Sequence, residues 1–69
     1  MYQRELRNAA HTWRFTIRQA DAVGWEIREE RDSQVVRQVV YDDWHRVERA
    51  RMAFAVEAAV LQETGWTES

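Results

Sequence analysis

Thr12-Trp13-Arg14-Phe15-Thr16-Ile17-Arg18 sets an apolar side chain at every second position and a polar one between. Alternation of aromatic and β-branched residues with Arg and Thr predicts a strand with one face in a core and the other in water. The pattern returns in Trp25-Glu26-Ile27-Arg28-Glu29-Glu30, with Trp25 and Ile27 on one face. Between the two runs, Gln19 to Gly24 supplies Asp21 and Gly24 as turn formers. Two alternating runs joined by a short Gly-containing loop predict an antiparallel hairpin.

Outward from the hairpin, Arg31-Asp32-Ser33-Gln34 reads as a second tight turn. Val35-Val36-Arg37-Gln38-Val39-Val40-Tyr41 follows, and its dense β-branched content predicts a third strand. In that strand Val35, Val39 and Tyr41 share one face and Val36 and Val40 the other. A helical reading competes, because Val36, Val40, Trp44, Val47, Arg51, Phe54, Ala58 and Leu61 fall on a helical stripe. The strand is preferred because Asp42-Asp43 offers a fresh helix start, with carboxylates suited to the positive end of the helix dipole. From Trp44 to Thr64 strong helix formers dominate, and Gly65 is placed to end the helix. The predicted architecture is α+β: a three-stranded antiparallel β-meander over 12–41, then one long C-terminal α-helix over 42–65. Residues 1–11 are read as an N-terminal arm of one small domain, irregular or with a short helical turn.

The chain has 69 residues, 10 Arg and no Lys, 12 acidic residues, 4 Trp, 2 Gly and neither Pro nor Cys. An apolar fraction of 45% with a net charge of -2 excludes a disordered chain. The missing Cys excludes a disulfide framework and any Cys-based zinc or redox site. No apolar run approaches the roughly 20 residues that cross a bilayer, so no membrane partner is expected. The mixed, polar Met1–Asn8 stretch does not read as a signal peptide, and a cytoplasmic protein is expected. A domain this short buries only about 60% of its extended surface, so a partner subunit is the expected source of further stability.

The helix shows where that subunit would sit. Its first half is amphipathic, with Trp44, Val47 and Ala50 opposite Arg46, Glu48 and Arg49. From Met52 to Leu61 only Glu57 interrupts the apolar residues, which cover nearly the whole circumference. A helix apolar all round is buried on more than one side, and a sheet covers only one. The expectation is a homodimer that pairs helices through Phe54, Val56, Ala59 and Val60, with the small Ala55 and Ala59 letting the backbones approach.

Chemistry is sparsely encoded. Neighbouring residues on a strand point to opposite faces, so Glu29 and Glu30 do not converge. The alternation turns Glu29 inward with Arg37 as its natural partner, although the simpler expectation leaves both at the sheet edge in water. His11 and His45 have no metal-ligand spacing, and no nucleophile elbow or phosphate loop is present. No enzyme activity, cofactor or metal is expected. The outer face of the hairpin carries Arg14, Arg18 and Arg28 but also Glu26 and Glu30. Arg–Glu pairing would make it an ordinary solvated face, whereas free guanidiniums would suit single-stranded nucleic acid. The sequence is therefore read as a small homodimeric interaction protein, an adaptor or regulator with a possible protein partner. Nucleic-acid binding is the alternative.

Overall fold

A computed structural model describes residues 2–21 and 24–69. Strands β1 Tyr2–Asn8, β2 His11–Gln19, β3 Trp25–Arg31 and β4 Gln34–Tyr41 precede helix α1 Trp44–Glu63 and the short β5 Thr67–Glu68. They form one antiparallel sheet in the order β4-β3-β2-β1-β5, a four-stranded meander with β5 added at the far edge. The α+β class and the single long helix match the sequence reading. The strand count does not.

The N-terminal arm is in fact β1, paired with β2 from Tyr2↔Ile17 to Asn8↔His11. Its inward positions are Tyr2, Arg4, Leu6 and Asn8, so the alternation is half polar and does not stand out. Arg4 is accommodated because Glu68 of β5 takes its guanidinium in two hydrogen bonds, at 2.9 and 2.6 Å. The connecting turn contains no Gly, and Ala9 itself adopts φ 54.

Two turns behave as their residues dictate. Asp32 and Ser33 both sit in the left-handed region, φ 52 and 66, as a two-residue hairpin turn matched to strand twist requires. The Asp32 carboxylate accepts from the Thr12 backbone N–H at 3.0 Å and faces His11 Nδ1 at 3.1 Å. The expected turn at Gln19–Gly24 falls partly on residues 22–23, which lie outside the described residues. Its Gly24 has φ 105, and a Cβ there would meet the Tyr41 carbonyl oxygen at 2.9 Å. Glycine is thus required by backbone angle and by the close passage of β4.

Residues 35–41 are strand, not helix. A bulge shifts the β3–β4 register: Glu29 faces Arg37, but Glu30 faces Val35, leaving Val36 as the extra residue. Val35 therefore stands opposite outward Glu30 and does not share a face with Val39 and Tyr41. As the sheet's edge strand, β4 leaves Val35, Val36 and Val40 exposed.

The core is one layer between sheet and helix. Leu6, Phe15, Ile17 and Ile27 come from the sheet, and Val47, Ala50, Phe54 and Ala58 from the helix. Phe15 and Phe54 lie 4.7 Å apart between ring centroids, with Tyr2 stacked on Phe54 at 6.4 Å. The four Trp fasten the helix at both ends. Trp25 of β3 meets Trp44 edge-on at 5.1 Å, and Trp13 of β2 meets Trp66 at 5.6 Å.

Glu29 is 8% exposed, so the expected solvated edge position is overturned. Its partner is not Arg37: the Trp13 indole N–H donates to Oε2 at 2.7 Å. A buried carboxylate needs such a donor, since an unpaired one keeps its full desolvation penalty. Trp13→Phe should cost about 1–3 kcal/mol by leaving Glu29 without its donor, and denaturant unfolding measures it. Glu29→Gln, which keeps an acceptor oxygen for the indole, should cost less.

Candidate functional site

The helix divides the expected dimer residues between two surfaces. Asp43 starts it, its Oδ1 accepting from the His45 backbone N–H at 2.9 Å. Gly65, φ 100, ends it, after which the Trp66 N–H donates back to the Leu61 carbonyl at 3.0 Å. Val47, Ala50, Phe54 and Ala58 recur at helical spacing and face the sheet. Phe54 is thus fully committed to the core and absent from the surface. Val56, Ala59 and Val60 are exposed. Opposite the core runs a ridge of Met52, Val56 and Val60, respectively 64%, 64% and 53% exposed. Beside it, Trp13, Val56, Val60 and Leu61 line an apolar depression of about 210 Å³. Glu57 borders it, its carboxyl pushed up by burial and by the charge of Glu29, against the opposing pull of Arg37.

The outer sheet face brings Arg14, Arg18 and Arg28 together, each beside a carboxylate. Arg14 lies 3.3 Å from Glu5 and 4.0 Å from Glu30. Arg18 lies 2.9 Å and Arg28 3.2 Å from the same Glu26 oxygen. The second Glu26 oxygen accepts from Gln38 at 2.6 Å. Desolvation pushes the Glu26 carboxyl up. Hydrogen bonds from Gln38 and Arg18, with the charges of Arg18 and Arg28, outweigh it and hold the group below its ordinary value. β1 supplies Glu5, a pairing invisible while residues 1–11 read as an arm.

The helical arginines separate by flank. Arg51 donates to Glu48 at 2.8 Å on one side. On the other, Arg46 and Arg49 face β4 across a groove of about 440 Å³, with Arg37 and Tyr41 opposite. The sequence shows these cations only as a basic cluster winding round the helix. Their convergence with Arg37 follows from where the helix lies on the sheet.

A further concavity of about 590 Å³ lies between the helix start and the ends of β1–β3, lined by Tyr2, Ile17, Trp25, Trp44 and Glu48 among others. Its acid, Glu48, is engaged by Arg51. His11 is held by Asp32, and His45 is exposed at the helix start. Among the described residues, no three His, Asp or Glu side chains come together as a metal site. No helix among them is long and apolar enough to cross a membrane.

Glu26 gives this face a pH dependence. A carboxyl whose pKa is lowered on folding adds stability above its unfolded value, lost as pH falls through the lowered one. Stability should therefore decline on acidification below the ordinary carboxylate range. Glu26→Gln should flatten that decline while lowering stability at neutral pH, as read by thermal unfolding across pH.

Comparison with known protein families, with curated protein sequences and with solved structures gives no match to this chain.

Proposed function

We propose that the chain is a small cytoplasmic homodimeric interaction protein, a structural adaptor or regulator of another macromolecule, with no reaction of its own. The observation that carries this reading is the ridge of Met52, Val56 and Val60, three large apolar side chains more than half exposed. Such a row on the water side of a helix is a contact surface. A second copy is its occupant in this reading. The ridge lies straight along one helix and is flanked by the small Ala55 and Ala59, so two copies can cross closely about a two-fold axis. The interface is Val56, Ala59 and Val60, joined by Met52, while Phe54 supports it from below as part of the core.

Single-stranded nucleic acid on Arg14, Arg18 and Arg28 has weaker support. Each of these guanidiniums already has a carboxylate within 3.3 Å. A phosphate backbone would have to displace those pairs, and a net charge of -2 adds no general attraction.

Sedimentation should give twice the chain mass of 8.3 kDa. Val56→Glu and Val60→Glu should each weaken the dimer at least tenfold, about 1.4 kcal/mol, with helical content retained. A dimer that survives both changes removes the helix ridge from the interface. A salt-sensitive complex with a short single-stranded oligonucleotide, strengthened by Glu26→Gln, would move the function to the arginine face.

A further inference from the structure

Ion pairing is unevenly distributed over this protein. Arg4, Arg7, Arg14, Arg18, Arg28 and Arg51 each lie within 4.0 Å of a carboxylate. Among the described residues, Arg31, Arg37, Arg46 and Arg49 have none; Arg31 lies over the Trp13 ring at 4.5 Å, and the other three converge on the groove between α1 and β4. Arg46 lies over the Tyr41 ring at 5.8 Å, which leaves its N–H groups free for an acceptor. Guanidiniums with unused donors, gathered from two elements onto one concavity, are built to meet anionic groups.

The same groove borders an open sheet edge. β5 covers the β1 edge, but β4 ends the sheet on the other side. An edge strand offers the backbone donors and acceptors of every second residue to an incoming strand. The bulge at Val36 leaves Arg37–Tyr41 as the regular stretch. On the outer side of β4, Val35 and Val40 are about half exposed.

We propose that β4 is a docking edge for an extended acidic segment of another protein, which adds as a further strand antiparallel or parallel to Arg37–Tyr41. Side chains alternate along the incoming strand. One set enters the groove, where carboxylates meet Arg37, Arg46 and Arg49. The other set lies on the outer side and covers Val40. The ladder gives affinity and the three arginines give the choice of sequence. A second copy of this chain is disfavoured at the edge, because two-fold pairing of β4 would bring both sets of three arginines together. Nucleic acid has no amide ladder to offer the edge. Neither nearby carboxylate lines the groove: Glu29 is engaged by Trp13, and Glu57, which feels the charge of Arg37, borders the depression beside the ridge. This site is separate from the helix ridge and stands whether or not the ridge pairs two copies.

The test uses the full chain and an end-blocked eight-residue peptide of alternating Glu and Val. Binding is followed by amide chemical shifts and by hydrogen exchange. The expected result is slowed exchange of outward-facing β4 amides together with saturable binding. Arg46→Glu and Arg49→Glu should each weaken it at least tenfold, and Arg51→Gln, on the opposite flank, by less than twofold. Both charge reversals lie on the exposed helix surface, and unchanged thermal unfolding confirms that they fold. Methylating the peptide's backbone nitrogens at alternate residues should abolish binding in one phase of the alternation and spare it in the other. Binding indifferent to methylation in both phases, or equal binding of a Lys-Val peptide, overturns strand addition. An eight-nucleotide single strand that binds this groove through Arg46 and Arg49 while the Glu-Val peptide does not would replace the proposal with a nucleic-acid site. Absence of any β4 response at millimolar Glu-Val peptide also overturns it.

Discussion

One helix has to cover a sheet wider than itself. Strands lie about 4.8 Å apart and a helix with its side chains is roughly 10–12 Å across. A single helix therefore shields two or three strands of a five-stranded sheet. Here Phe54 on Phe15, with Val47, Leu6 and Ile27 around them, fixes it over the middle. The two flanks inherit opposite fates. Beyond β1 the chain returns as β5 and supplies Glu68 to Arg4. On the other flank no described residue adds a strand beyond β4, so β4 keeps an open edge and a groove forms between it and the helix.

This constraint explains which features could be read along the chain. β2 and β3 are covered by the helix, and full burial of one face leaves a clean alternation in Trp13-Phe15-Ile17 and Trp25-Ile27. β1 lies toward the margin, so an Arg serves at an inward position and the period blurs. β5 is two residues long, below the length at which any period exists. β4 is edge strand, and its Val-rich sequence shows strand without showing face, because the bulge shifts the register midway. The inward orientation of Glu29 was legible. Its indole donor was not, since Trp13 pairs with Arg31 and reaches Glu29 diagonally across the β2–β3 ladder. For the helix, the all-round apolar stretch marked two contact surfaces. Only packing against β2 could assign Phe54 to the core and leave Val56 and Val60 outside.

The charges sort by surface in the same way. On the outer sheet face, cross-strand neighbours on β1, β2 and β3 interleave Arg with Glu, and nearly every charge has a counterpart. The helix ridge carries almost none. The β4 groove collects cations from a strand and a helix that the sequence places apart, and no carboxylate among the described residues reaches them within 4.0 Å. A surface with a net charge of -2 overall thus holds one strongly cationic recess. Long-range steering of anions is weak for such a molecule, and selectivity rests on short-range contacts.

The β1–β5 ladder also shapes how the chain folds. The meander from β1 to β4 is built of successive hairpins, whose contacts close short loops. Arg4 and Glu68 are 64 residues apart, and their strands meet only after the helix has crossed the sheet. Contacts of that separation are costly to close early, so they are expected to form after the rate-limiting step. Interactions absent from the transition state govern the rate of unfolding rather than of folding. On that expectation the last short strand is a latch, whose loss should speed unfolding more than it slows assembly.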